Sequence, residues 1–189
     1  MVLCKPEFKR EVLKKEMGEI YPSTEKSPRR KRLALVISNS IFLFQRNLRG
    51  AEKDELNMIR LLKDLGYDVV LHRNLTAKAM DATIADFAER EEHFQSDSCF
   101  VVIMSHGNES EICGVLHHSD LIEDLFPVDK IFYHLNTLNC PGLHNKPKII
   151  LIDSCRQFQV IKKFQETYPK QLPCKERTLS KKFYLFPGL

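Results

Sequence analysis

Two apolar segments of the chain run directly into residues that are capable of nucleophilic or acid–base chemistry. Residues 101–104 are followed by Ser105, His106 and Gly107, and residues 149–152 are followed by Asp153, Ser154 and Cys155. A cysteine nucleophile needs a nearby imidazole to manage its proton and backbone N–H groups to stabilise the oxyanion that its attack creates. These two loops contain all three kinds of group. The competing interpretation is a buried core thiol at Cys155 and an ordinary loop histidine at His106.

The elements around these loops follow an alternating pattern of strands and helices. Continuous apolar runs predict buried strands at 33–37, 67–71, 98–104 and 148–152, and helical spacing predicts helices at 50–65, 76–87 and 128–135. Gly66 is placed to end the first of these helices and Thr76 to begin the second. Alternation of this kind indicates an α/β domain with a mostly parallel central sheet flanked by helices. The carboxyl ends of parallel strands share one edge of the sheet, so both reactive loops are expected to face one crevice.

The bulk properties of the 189-residue chain fit one globular domain. Its net charge of +4 is mild and spread out, which gives no indication of nucleic-acid binding. No apolar run is long enough for a signal sequence or membrane span, so we expect a cytoplasmic protein with free thiols and no membrane partner. His117, His118 and Cys113 fit no standard zinc spacing, and we expect neither a metal nor a cofactor.

Several sequence motifs, in order along the chain, resemble the caspase family of cysteine peptidases, and within it the inflammatory, interleukin-converting-enzyme subfamily. The motifs are RLALVISN at 32–39, LGYDVVLHRNLTAKAM at 65–80, FVVIMSHG at 100–107, ICG at 112–114, NKPKIILIDSCR at 145–156 and FYLFPG at 183–188. His106 and Cys155 are 49 positions apart, close to the spacing of about 50 that is typical of the caspase pair. The resemblance implies a caspase-like three-layer α/β fold. It also implies a peptidase with roles in inflammation and programmed cell death, with peptide or protein substrates and with dimerisation, with itself or with other caspases.

Carried over residue by residue, the resemblance implies Cys155 as nucleophile and His106 as acid/base. It implies the N–H groups of Gly107 and Cys155 as the oxyanion hole. Caspases hold a substrate aspartate with two arginines and a glutamine; here Leu48 stands at the first arginine position, beside Arg49, and Asp153 replaces the glutamine. We therefore interpret Leu48, Arg49 and Asp153 as substrate-binding positions whose aspartate preference is impaired.

Asp153-Ser154-Cys155 resembles metacaspases, in which an aspartate at this place selects arginine or lysine, so a preference for basic residues is a further hypothesis.

The resemblance predicts three segments. Residues 1–31 form a linker-like N-terminal segment with a short charged helical pattern at 7–17, residues 32–157 resemble the caspase large subunit, and residues 158–189 retain a last helix (158–168) and a last strand (182–188) of the small subunit. The intervening part of the small subunit is expected to be missing. The strand at 148–152 then has an exposed edge, which the last strand covers either directly or in a partner chain.

Three functions remain open at this point. The first is an active cysteine endopeptidase with an impaired pocket, which the intact pair of His106 and Cys155 supports. The second is a catalytically dead decoy or heterodimer partner that regulates full-length caspases, which Leu48, Asp153 and the missing segment support. The third is an unstable product with no function of its own.

Overall fold

The structure is a computed structural model that describes residues 6–15, 30–155 and 180–186, without the side chains of Pro6, Lys9, Leu13, Cys155 and 180–186. The chain divides into two compact units, 1–30 and 31–189. Within the first unit, helix α1 (Pro6–Lys15) overlaps the predicted charged helical pattern, and it carries an exposed Glu7–Arg10 ion pair at 3.5 Å. The predicted small-subunit helix at 158–168 lies outside the described residues.

A five-stranded sheet forms the centre of the second unit. Its strands are β1 (Arg32–Ser38), β2 (Tyr67–Arg73), β3 (Cys99–His106), β6 (Lys148–Cys155) and β7 (Ser180–Phe186), in the order β2-β1-β3-β6-β7. The first four strands of that order are parallel, and β7 is antiparallel to β6. The strands β4 (Glu111–Cys113) and β5 (Leu125–Pro127) form a separate antiparallel pair. The predicted α/β class with a mostly parallel sheet is confirmed.

Helices cover both faces of the sheet, since its buried parallel strands are apolar on both sides. Helix α2 (Ala51–Asp64) packs on one face through Leu62, beside Val36, Val102 and Leu151. Helices α3 (Ala77–Ala88) and α4 (Asp129–His134) pack on the other face. Two short 3₁₀ helices span Glu91–Gln95 and Pro141–Leu143. In the described part of the chain, no helix is long and apolar enough to cross a membrane.

The predicted end of α2 at Gly66 and the predicted start of α3 at Thr76 are both observed. Gly66 follows α2 with a φ of +83°, a left-handed conformation that favours glycine, and its N–H donates to the Lys63 carbonyl at 2.9 Å. The Thr76 hydroxyl accepts a hydrogen bond from the Ala79 N–H at 3.2 Å and so caps the N-terminus of α3.

The structure corrects one expectation about the reactive residues: Ser105, His106 and Asp153 to Cys155 are in strands and not in loops. The parallel ladder between β3 and β6 continues through the pairs Met104–Asp153, Ser105–Ser154 and His106–Cys155. Continued backbone pairing therefore holds both reactive residues at the carboxyl edge of the sheet. Such a ladder fixes their relative position more firmly than two separate loops.

Strand β7 covers the edge of β6 directly. The register pairs Phe183 with Leu151 and Lys181 with Asp153, and this strand begins two residues before the predicted one at 182–188. Of the two alternatives for this edge, the structure has the pairing within the chain. An apolar edge that is paired in this way no longer offers a template for other strands.

His93 is a fully buried histidine whose protonation is expected to destabilise the fold. Its Nε2–H donates to the Phe87 carbonyl at 2.7 Å, while its Nδ1 is buried and, within the described residues, has no hydrogen-bond partner. Burial lowers the pKa of His93, and the hydrogen bond to Phe87 opposes that shift. The pKa in the folded state therefore lies below its value in the unfolded state, about 6.5. Stability from the neutral ring is complete above that pH and is lost as the pH falls below it.

We expect a His93→Gln variant to show a flatter dependence of stability on pH than the wild type as the pH falls below about 6.5. One differential proton contributes up to about 1.4 kcal/mol per pH unit to the free energy of unfolding. Urea unfolding at several pH values measures this slope. His144→Gln is the matched control, because His144 is exposed. Equal slopes for the wild type and His93→Gln contradict the prediction.

Candidate active site

The backbone brings His106 and Cys155 together at the carboxyl edge of the sheet. They are the last residues of two adjacent parallel strands and are paired directly in the register of β3 and β6. Neighbouring strands are about 4.8 Å apart. Because the two positions are register partners, they fall on the same face of the sheet, which is the face that α2 covers. This juxtaposition is the arrangement that a thiol–imidazole pair requires.

The imidazole of His106 is oriented by two groups in the loop that follows β1 (Arg32–Ser38). Its Nε2 lies 2.7 Å from the carbonyl oxygen of Arg46, and its ring centroid lies 4.6 Å from that of Phe42. A carbonyl oxygen only accepts hydrogen bonds, so Nε2 carries the proton. In the neutral ring, Nδ1 is then the unprotonated nitrogen that is able to accept a proton.

The Arg46 carbonyl is a group that could not be identified from the sequence. Every residue type has the same backbone carbonyl, so the arginine side chain carries no signal for this role. The only available clue is position, because residues 39–50 follow the carboxyl end of β1 at the same sheet edge.

Two asparagines, one buried and one half-buried, hold this loop in place. Asn39 is 0% exposed; its Nδ2 donates to the carbonyls of Leu75 at 3.2 Å and Cys113 at 3.3 Å, and its Oδ1 accepts from the Leu75 N–H at 2.8 Å. Asn74 has a φ of +54°, and its Oδ1 accepts from the N–H groups of Ser40 and Ile41, both at 3.0 Å. These bonds tie the loop after β1 to the loop after β2 and to β4.

Gly107 follows His106 and is confined by the backbone of β4. A Cβ atom at this position would lie 2.5 Å from the Glu111 carbonyl oxygen and 3.1 Å from the Ile112 Cα. Gly107 forms an isolated antiparallel bridge with Ile112, and the Asn108 N–H donates to the Glu111 carbonyl at 2.8 Å. Only glycine fits this approach, which keeps the chain after His106 close to the sheet edge.

The three predicted substrate positions lie on two separate elements. Leu48 is half-buried in the loop after β1, where its N–H donates to the Ser40 carbonyl at 3.0 Å, and Arg49 next to it is exposed. Asp153 is half-buried on β6, two residues before Cys155 and beside Met104 of β3 in the register. Because β3 lies between β1 and β6, the backbones of those two strands are about 10 Å apart.

An ion pair between the exposed guanidinium of Arg73 and the buried carboxylate of Glu55, at the same edge, was not foreseen from the sequence. Glu55 is 5% exposed, and it accepts hydrogen bonds from Arg73 Nε at 3.0 Å and Arg73 Nη2 at 2.6 Å. The hydrogen bond from Arg73 is the main reason that the pKa of Glu55 is lowered. Arg73, at the end of β2, is thereby bound to α2, and this contact joins the helix to the carboxyl edge of the sheet.

The residues considered for a metal site lie in β4 and in the segment that follows it. Cys113 is buried in β4, which raises its pKa, and the rings of His118 and Phe44 are in edge contact at 5.4 Å. Among the residues whose positions the structure gives, no three His, Cys, Asp or Glu side chains are grouped so as to hold a metal ion.

Comparison with known proteins gives a consistent result. Residues 31–171 match the family model described as "Caspase domain". The chain is 52% identical over 155 residues to "Caspase a" of Danio rerio, covering 81% of this chain and 40% of that protein. It is 46% identical over 154 residues to "Caspase-1" of Sus scrofa (82% and 38%) and 50% identical over 143 residues to "Caspase-12" of Rattus norvegicus (73% and 32%). The chain thus spans at most about two fifths of the length of these relatives.

Proposed function

Because this chain belongs to the caspase family, we propose that it is a cysteine endopeptidase domain with Cys155 as nucleophile and His106 as acid/base. The single observation that best supports this proposal is the register pairing of His106 with Cys155, together with the Nε2–H hydrogen bond to the Arg46 carbonyl. That bond leaves Nδ1 of His106 as the nitrogen that exchanges the proton.

The reaction proceeds through an acyl-enzyme. Nδ1 of His106 takes the proton of the Cys155 thiol, and the thiolate attacks the carbonyl carbon of the peptide bond. The N–H groups of Gly107 and Cys155 donate to the oxyanion that forms. The imidazolium then gives its proton to the leaving amine as the C–N bond breaks. A water molecule, deprotonated by His106, attacks the thioester, and the thiolate leaves as the acid product forms.

Substrate selection is proposed to differ from that of caspases that cleave after aspartate. A carboxylate about 4 Å from the Asp153 carboxylate, at an effective dielectric constant near 20, is disfavoured by on the order of 4 kcal/mol. Leu48 supplies no charge to offset that repulsion, and Arg49 next to it is exposed. We therefore propose that Asp153 favours a basic residue before the scissile bond.

Peptidyl electrophiles that differ only in that residue test this proposal. We expect the probe with arginine to modify Cys155 at least about tenfold faster than the probe with aspartate, as measured by mass spectrometry of the modified peptide. In an Asp153→Gln variant, the rate with the arginine probe divided by the rate with the aspartate probe is expected to fall by a similar factor. Faster modification by the aspartate probe in the wild type contradicts the proposed preference.

The second candidate function is a non-catalytic decoy or heterodimer partner for full-length caspases. Leu48 and Asp153 favour it, because they alter substrate recognition without altering the family's interaction surfaces. A folded chain that no probe modifies, but that binds a full-length caspase and changes its activity, supports this alternative. In either case we propose a cytoplasmic location and a role in inflammatory or cell-death signalling, in line with the family.

A further inference from the structure

One register row crosses all five strands of the central sheet near its carboxyl edge. The row pairs Arg73 with Ser38, Ser38 with Met104, Met104 with Asp153, and Asp153 with Lys181. Register partners in neighbouring strands fall on the same face of a sheet. Asp153 is therefore flanked in this row by a methionine on one side and a lysine position on the other.

The row has a basic residue at each end, Arg73 and Lys181, and the acidic residue Asp153 lies next to the second of them. Arg73, at the β2 end, is bound to Glu55. Met104, which is 6% exposed, presents an apolar neighbour to Asp153 on the β3 side. A half-buried carboxylate beside an apolar residue is costly unless a donor or a cation accompanies it.

Strand β7 has a lysine position directly opposite Asp153 in the register. Residues directly opposite in an antiparallel pair have Cβ atoms about 5 Å apart, and opposite charges at such positions stabilise the pairing. The next lysine, Lys182, is opposite Ile152 and falls on the other face. Alternation along β7 therefore distinguishes two adjacent lysines: only position 181 shares a face with Asp153 and Cys155.

We propose that Lys181 is a specificity-determining residue that acts as the internal charge partner of Asp153 and competes with a basic substrate residue for its carboxylate. The effect on specificity rests on the proposed peptidase function, whereas the charge pairing does not. The covering strand then has a second effect besides closing the sheet edge, because it weakens the preference for arginine or lysine that Asp153 gives to the reaction centre.

Peptidyl electrophiles applied to the full chain test the effect on specificity. In a Lys181→Gln variant, we expect the arginine probe to modify Cys155 about threefold to fivefold faster than in the wild type. The rate with a probe that carries an uncharged residue is expected to stay unchanged. Lys182→Gln is the matched control and should alter neither rate. Equal arginine-probe rates in the Lys181→Gln and Lys182→Gln variants overturn this role.

A charge-reversal cycle tests the pairing without any requirement for activity. Asp153→Lys and Lys181→Asp each place like charges opposite one another, and the double reversal restores an opposite pair. We expect the double variant to be more stable than the sum of the single effects by about fivefold in the unfolding equilibrium constant, measured with urea. Asp153→Lys combined with Lys182→Asp should be additive.

Additivity in the Asp153–Lys181 cycle overturns the pairing. Coupling in the cycle without modification of Cys155 by any probe instead refutes the proposed peptidase and leaves the pairing in place.

Discussion

Replacing Cys155 with alanine is expected to abolish covalent modification by a peptidyl electrophile and to lower peptide hydrolysis by at least about a thousandfold. The physical reason is the loss of the only group that forms the acyl-enzyme in the proposed reaction, and deletion of a nucleophile commonly removes most of an enzyme's rate enhancement. The measurement is the extent of modification by intact-protein mass spectrometry, with hydrolysis followed in parallel.

The control for this prediction is Cys113→Ala. Cys113 is a buried thiol with a raised pKa in β4, and its removal should leave the modification intact. A His106→Gln variant adds a graded test, because it removes the base and keeps the thiol. A thiol with an ordinary pKa near 8.5 is only about 3% ionised at pH 7, so modification should slow about thirtyfold and recover above pH 9. Equal modification of Cys155→Ala and wild type would refute the assignment of the nucleophile.

Replacing Asn39 with alanine is expected to lower the free energy of unfolding by about 3 kcal/mol. The substitution leaves the Leu75 N–H without its side-chain acceptor and removes one donor from the carbonyls of Leu75 and Cys113, which keep the Val115 N–H and the Ser105 hydroxyl. A buried polar group that loses its partner costs about 1–3 kcal/mol, and each further lost hydrogen bond costs about 0.5–1.5 kcal/mol. For a domain of this size the loss corresponds to a fall of about 10 °C in Tm, measured by thermal unfolding.

Asn57→Ala is the matched control for Asn39, because Asn57 is exposed on α2. Its effect should stay within about 0.5 kcal/mol. Because Asn39 also ties the loop of Arg46 to the sheet edge, its loss should loosen the orientation of His106. If Asn39→Ala unfolds at the same temperature as Asn57→Ala, the described hydrogen bonds do not contribute as argued.

The parallel sheet could be predicted from the sequence because its strands are continuous apolar runs, which few other elements produce. The C-terminus of α2 and the N-terminus of α3 could also be predicted, because Gly66 and Thr76 act through local hydrogen bonds and backbone conformation. The short pair of β4 and β5 was not predicted, because three-residue strands contain no measurable periodicity. The proximity of His106 and Cys155 followed from the rule for carboxyl ends of parallel strands, whereas their catalytic roles stay predictions.

Other features of the site depend on tertiary contacts, which cannot be predicted from the pattern of neighbouring residues in the sequence. The pairing of Arg73 with Glu55 joins a strand end to a helix 18 residues away in the chain, and nothing in either segment selects the partner. The register of β7 on β6 likewise determines which of two adjacent lysines shares the face of Asp153. A shift of one residue would exchange them, so the sequence alone left this outcome open.

The carbonyl that orients His106 also affects how the site responds to genetic change. Because this partner belongs to the main chain of residue 46, no side-chain replacement there deletes it. In an alanine scan, replacement of Arg46 would therefore not remove the hydrogen bond to His106. Replacement of Asn39 or Asn74, which hold the main chain of this loop, would instead disturb the orientation of the His106 imidazole. Side-chain substitutions at residue 46 are therefore expected to leave this hydrogen bond in place. The contact depends instead on residues such as Asn39 and Asn74, which determine the path of the loop.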